Sequence, residues 1–472
     1  MVEYSRDDLK SPREWLSTTK KQQQFNNLII KTMKLNFRML LTASLALVML
    51  ATSSFAQDKK TDNLNTPSHV QIKAVNGKYH FYVNDQLFDL KGVGGGGNLA
   101  LLHQSGGNSI RTWGADKGIQ LLDTAKKYNL MVAMGLGMGQ QLHGFNYNDT
   151  AAVAKQFNRI KKSVQELKNH PNLLCWVAGN ELNLVEGKVP LNPAVYDALK
   201  DIVDYIHKED PNHPVTSTMA GVKKETVQMA LEHCPKLDFL SLQVYADLGR
   251  MPEIVKAAGI TIPYAITEYG PRGHWEGPKT AWGREIEETS TVKAAGIMKR
   301  IQTAFVNDNS GLCLGGYAFV WGQKQERTPT WYGMFIKSGE ASATVDELTK
   351  YWTGKYPANR APQVDSLKVE GKNAVENVYI KPGVASTAKV FASDPNNDPL
   401  TYKWFILKEV KVRSAGGAHE AEPETITIDV LSDKNGELKF NSPATEGEYR
   451  LFCYIFDGKN KVGTANFPFY VK

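Results

Sequence analysis

Two short runs constrain this chain more than any other feature: Trp176-Val177-Ala178-Gly179-Asn180-Glu181 and Tyr264-Ala265-Ile266-Thr267-Glu268-Tyr269-Gly270. Each is an apolar, strand-like run that ends on a glutamate. A carboxylate just past a buried strand is costly unless something pairs with it or uses it. The two acids are separated by about three strand–helix units, as expected if one parallel barrel presents both at the same rim.

The surrounding pattern agrees. From about residue 79 to 355, short apolar runs alternate with amphipathic stretches. Strands are expected over 87–93, 108–113, 130–135, 173–179, 214–219, 239–245, 263–267 and 314–320. Helices are expected over 117–128, 149–169, 193–209, 223–233, 252–259 and 290–307. Eight strands, most followed by a helix, fit the size of a (β/α)8 TIM barrel. An open doubly wound sheet would want a phosphate-binding glycine fingerprint. Gly92 to Gly97 is glycine-rich, but Asn98 and Leu99 stand where that fingerprint would continue.

After Tyr351-Trp352-Thr353-Gly354, the segment 356–362 has linker composition, with Pro357 and Pro362. Residues 363–472 then alternate in short β-like runs over 378–380, 388–392, 400–405, 425–431, 448–456 and 465–471. This pattern implies a β-sandwich. At the other end, Lys34 and Arg38, the apolar stretch 39–50 and Ser54-Phe55-Ala56 read as a signal peptide over 33–56, cut before Gln57. Residues 1–32 precede a better start at Met33, and 57–78 form a lead-in to the barrel domain at 79–355. The expectation is export to the periplasm or beyond, with no membrane span after cleavage.

The net charge of +7 falls partly in the first 60 residues, and elsewhere the signs are mixed, so no basic stripe points to nucleic acid. Four cysteines are too few for a disulfide scaffold and lack metal-site spacing. No metal and no cofactor is expected, and nothing nominates an oligomeric state.

Placing the strands brings particular side chains to one rim. Arg111 and Trp113 close the second strand, Asn180 and Glu181 the fourth, Tyr245 the sixth, Glu268 the seventh and Trp321 the eighth. Paired carboxylates flanking one bond are what glycoside hydrolysis needs. Alone, Asn180-Glu181 also reads as a helix cap, and Glu268 as a structural partner of Arg111. Trp275, Trp282, Trp331 and Tyr332 lie in rim loops, where flat rings suit sugar faces or simple loop packing. His143 and His274 lie there too and could bond hydroxyls.

With these motifs placed, the chain resembles the retaining β-glycosidases of clan GH-A. Asn180-Glu181 and Ile266-Thr267-Glu268-Tyr269-Gly270 are most like glycoside hydrolase family 2 barrels. The resemblance implies Glu181 as acid/base and Glu268 as nucleophile, with Asn180 on the sugar 2-hydroxyl. It further implies that Arg111 and Tyr245 hold Glu268 and that Trp321 floors the sugar subsite. The partner implied is a carbohydrate, as an oligo- or polysaccharide. Family 2 enzymes usually carry β-domains before the barrel, and too few residues precede this one. Transglycosylation of a β-glucan and an inactive carbohydrate-binding protein therefore stay open. The C-terminal part resembles Ig-like or cadherin-like modules, through Asp394-Pro395 to Tyr402, Trp404, Gly447 to Arg450 and Asp457-Gly458. In it Asp394, Asn396, Asp398 and Asp457 offer hard oxygens that suit either calcium or turns.

Overall fold

The computed structural model describes residues 66–414 and 417–472. The expected signal peptide, its cleavage point and residues 1–32 lie outside the described residues. Where it is described, the expected lead-in is part of a three-stranded antiparallel sheet, β1 (Val70–Val75), β2 (Lys78–Val83) and β3 (Gln86–Phe88). Its turns are Asn76-Gly77 and Asn84-Asp85, all four residues with positive φ, as tight right-twisted hairpins require. The expected first barrel strand therefore starts too early. Leu87 belongs to β3 and is 58% exposed.

The barrel strands are β4 (Leu90–Gly94), β5 (Ser109–Arg111), β6 (Met131–Leu136), β7 (Leu173–Ala178), β8 (Val215–Thr216), β9 (Thr218–Ala220), β10 (Leu240–Gln243), β11 (Tyr264–Tyr269) and β12 (Cys313–Ala318). Their order is β8-β7-β6-β5-β4-β12-β11-β10-β9, parallel throughout. Because β8 and β9 are successive halves of one strand broken at Ser217, the sheet returns on itself as an eight-staved barrel. Around it lie α1 (Leu99–Gln104), α2 (Gly118–Lys127), α3 (Thr150–Leu167), α4 (Ala194–Glu209), α5 (Lys224–His233), α6 (Met251–Ala258), α7 (Ser290–Ile301) and α8 (Ala343–Thr353). The Asp149 carboxylate caps α3 by accepting from Ala152 N at 3.0 Å, and Gly259 ends α6 in the left-handed conformation.

Both faces of the strands are covered, which is why they read as continuous apolar runs. Met131 and Ala133 of β6 cluster with Leu174 and Val177 of β7 and with Phe81 from the hairpin below. Val132, Met134 and Leu136 instead join Leu173 and Trp176 against the helices. Phe81 meets Phe239 edge-on at 5.5 Å and so plugs the barrel floor. All four cysteines are free; Cys313 is half-buried and the others are buried.

The remaining strands are β13 (Gln363–Val369), β14 (Tyr379–Ile380), β15 (Ala385–Ser393), β16 (Thr401–Lys408), β17 (Thr425–Ile426), β18 (Asp429–Lys434), β19 (Glu437–Asn441), β20 (Gly447–Phe456) and β21 (Val462–Val471). They form two sheets, β13-β15-β19-β18 and β14-β21-β20-β16-β17, around an apolar core that includes Phe440, Leu451 and Phe467. Asp394 Oδ1 accepts from the backbone N–H groups of Asn396 and Asp398 at 2.7 and 3.0 Å, which is turn chemistry. Asp394, Asp398 and Asp457 offer oxygens within 4.8 Å of one another. Asn396 is instead occupied in bonding Arg360 N and Ala358 O.

The stretch expected as a linker is packed: Ala361 is buried and its N–H donates to Asp346 at 2.6 Å. Buried polar contacts then tie the sandwich to the barrel. Arg450 donates to Glu285 O at 2.7 Å, and Glu287 receives Lys293, Thr328 and Thr330 from the barrel and Asn466 from β21. Removing one member of such a buried pair typically costs about 3–5 kcal/mol, because the other is left unpaired. Among the described residues no helix is long and apolar enough to cross a membrane.

Candidate active site

The C-terminal ends of the barrel strands open into a cleft of about 1060 Å³. Close approaches of backbone set its rim. A Cβ at Gly135 would lie 2.5 Å from Thr112 O, and one at Gly97 would lie 2.7 Å from Trp321 O. Glycine at these two positions lets the loops after β5 and β4 sit where they do.

Glu268, on β11, is 8% exposed, and both its oxygens are held. Arg111 Nη1 donates to Oε2 at 2.9 Å, and the Tyr245 hydroxyl donates to Oε1 at 2.6 Å. Arg111 is fully buried and also donates to Asn180 Oδ1 at 2.6 Å and Thr267 O at 3.2 Å. Its guanidinium sits 5.1 Å from the centre of the Trp113 ring. Burial, and then the charge of Glu268, push the Tyr245 hydroxyl well above the ordinary tyrosine range. Tyr245 therefore stays a proton-bearing donor to Glu268 Oε1.

Glu181 lies just past the end of β7. The chain leaves that strand through Gly179 at φ 78°, and Glu181 itself sits at φ 49°. For a residue with a side chain this conformation is strained, and such strain collects at functional sites. Its N–H is anchored on Thr218 Oγ1 at 2.7 Å. Burial, and then the negative charge of Glu268, raise the Glu181 carboxyl well above the usual glutamate range, against the opposing pull of Arg111. One carboxyl is thus held by a guanidinium and a phenol, and the other is kept protonated.

Most of the expected residues come together. Asn180, Trp113, Tyr245, His143, His274 and Tyr332 line the cleft, and so does Trp275, 56% exposed and edge-on to Tyr245 at 5.5 Å. Trp321 does not: it is 1% exposed, packs on Phe335 at 5.0 Å and donates to Asn98 O, so it props the rim from behind the cleft surface. Trp331 is also buried, donating to Arg272 O. Trp282 packs on Tyr379 and Tyr470 of the sandwich.

Sequence reasoning missed Gln243, the last residue of β10. One end of its buried amide lies 2.5 Å from Glu181 Oε1, and the other lies 2.9 and 3.1 Å from the Arg111 guanidinium nitrogens. That second end also lies 2.9 Å from Asn180 Oδ1, so the amide bridges Glu181 to the groups that support Glu268. Gln243→Leu should lower kcat roughly tenfold to a hundredfold, the worth of one or two hydrogen bonds. It should also move the alkaline limb of the pH–rate profile, a readout that loss of packing alone would not move. The other surprise is that Ser414, Gly417 and Ala418 from the sandwich line the cleft. They are carried there by Glu420, whose buried carboxylate accepts from Arg327 Nη1 at 2.8 Å and Arg327 N at 2.6 Å.

Residues 98–282 match the model of glycosyl hydrolases family 2, TIM barrel domain. In that span the barrel resembles the glycoside hydrolase family 2 barrel. Solved structures with a similar course of chain include a β-glucuronidase from Bacteroides uniformis (13% identity, 85% of this chain and 48% of that one, TM-score 0.47). Others are a putative β-galactosidase from Bacteroides fragilis (13% identity, 85% and 57%, TM-score 0.45) and a β-glucuronidase from Ruminococcus gnavus (15% identity, 60% and 52%, TM-score 0.47). The chain thus spans about half the length of these structures. No curated protein matches it.

Proposed function

We propose that this chain is a retaining β-glycosidase acting on an oligo- or polysaccharide. The observation that carries the reading is the division of labour between two carboxyls in one cleft. Glu268 is held by Arg111 and Tyr245, and Glu181 is kept protonated by burial and by the charge of Glu268.

In the first step Glu268 attacks the anomeric carbon and the glycosidic bond breaks. Glu181 gives its proton to the departing oxygen. A glycosyl ester on Glu268 results; Glu181, now charged, then takes a proton from water as that water attacks the same carbon, the ester bond breaks and Glu268 leaves as a carboxylate. If a second sugar takes the place of water, the same site transfers the glycosyl group. In this reading Asn180, held by Arg111, bonds the sugar hydroxyl next to the reacting carbon. The cleft volume exceeds what one sugar ring needs, which supports a chain-like substrate. We also propose export, on the strength of residues 33–56; fractionation of cells expressing the full chain tests it.

Proton NMR of the first product from β-linked aryl glycosides and polysaccharides tests the mechanism. A β-configured product is expected first, and an α product would establish inversion and remove Glu268 as nucleophile. The pH profile follows from the same assignments. Because the Glu181 carboxyl is raised, the alkaline fall should come well above the ordinary glutamate range. A profile already falling at pH 5–6 would contradict a raised acid.

A further inference from the structure

We infer that the cleft is built for a neutral glycan and discriminates against uronic acids. This deepens the glycosidase reading and rests on it. Four basic side chains line the cleft among the described residues: Lys324, Arg327, His274 and His143. Three already have carboxylate partners. Lys324 is paired with Glu326, whose other oxygen lies 3.6 Å from His274 Nε2. Arg327 is bound through Nη1 and its backbone N–H to Glu420, through Nη2 to Ser414 O, and its Nε is buried. Below the surface, Arg111 is committed to Glu268 and Asn180.

His143, exposed at the end of a short 3-10 turn, has no carboxylate partner among the described residues, and an imidazole can bond a hydroxyl as donor or acceptor. Glu268 and Glu326 face the same space, beside the protonated Glu181. A sugar carboxylate would find its possible counter-ions taken and like charges beside it, the repulsive element that gives discrimination. Glu326 is central to this. Burial acts to raise its carboxyl, but His274 and Lys324 outweigh that and hold it below the ordinary range, so it stays charged. Glu420 brings a second neutralising carboxylate from the sandwich, so the C-terminal module helps to set the charge of the cleft as well as its shape.

The test compares kcat/KM for 4-nitrophenyl β-D-hexosides (glucoside, galactoside, mannoside) with that for the β-D-glucuronide. Alongside it, calorimetric titration of the unaltered protein compares a neutral β-linked hexasaccharide with a hexauronate at 150 mM salt. The expected result is at least about a hundredfold preference for a neutral glycoside. In Glu326→Gln the ratio should shift at least about tenfold toward the glucuronide as Lys324 is released. Glucuronide turnover within tenfold of the best neutral glycoside overturns the inference and leaves the glycosidase reading standing. If no glycoside is cleaved, that reading falls and the titration decides. Binding of only the neutral chain upholds the selectivity, and hexauronate binding as tight or tighter, or no binding of either, overturns it.

Discussion

Glu268→Gln is expected to lower kcat on the order of 10⁴-fold or more, because an amide cannot attack carbon or form the glycosyl ester. The fold should survive. The amide oxygen can still accept from Arg111, and the Tyr245 hydroxyl can turn to accept from the amide nitrogen. What is lost is the charge opposite a buried guanidinium that keeps Asn180 Oδ1 and Thr267 O as acceptors. A loss of about 1–2 kcal/mol, or a few degrees in melting temperature for a chain of this size, is the expected cost. Glu268→Ala leaves both Arg111 and Tyr245 without this partner and should destabilise more. Steady-state kinetics and thermal unfolding of the two variants check this together. Turnover within tenfold of the parent in Glu268→Gln would end the nucleophile assignment.

The barrel and its two acids were legible because their signals are local. An apolar run covered on both faces cannot hide its length, and a glutamate at its end stands out against the cost of burying it. The rim position then follows from the fold, which is how Arg111, Tyr245 and Glu268 could be grouped across more than a hundred residues. The missing hairpins had a signal that went unread: Asn76-Gly77 before β2 and Asn435-Gly436 before β19 are tight-turn pairs, with both residues at positive φ. Trp321 was misplaced for a different reason. Its position at a strand end was right, but the direction of its ring is set by Phe335 and Asn98 O, both far from it in local pattern. Gln243 carried no signal, since an amide ending a strand is unremarkable until Arg111 and Glu181 are known to flank it. The sandwich loop was beyond sequence reasoning for the same reason. Contacts such as the Glu420–Arg327 pairing, across 93 positions, bring it to the cleft.

Glu181→Ala should separate substrates by how much their leaving groups need a proton. With a 4-nitrophenyl leaving group, which departs as a stable anion, formation of the glycosyl ester should proceed at a rate near the parent's. With a natural sugar leaving group it should drop by roughly 10²–10⁴-fold, the usual contribution of a positioned acid. Hydrolysis of the ester also needs Glu181 as base, so the ester should accumulate as a burst of nitrophenol followed by slow turnover. Azide needs no base to attack, so it should restore turnover and yield a β-glycosyl azide. An α-azide, or equal losses for both leaving groups, would place the acid elsewhere. Stability gives an independent readout. Folding raises the Glu181 carboxyl above its unfolded value, so the folded state favours the protonated form, and stability is lost as pH climbs through that raised value. Glu181→Gln removes the titration, so its melting temperature relative to the parent should rise with pH over that window. A difference that stays flat from pH 5 to pH 9 would mean that Glu181 ionises as freely in the folded chain as in the unfolded one, and the geometry of burial beside Glu268 would then have no electrostatic consequence.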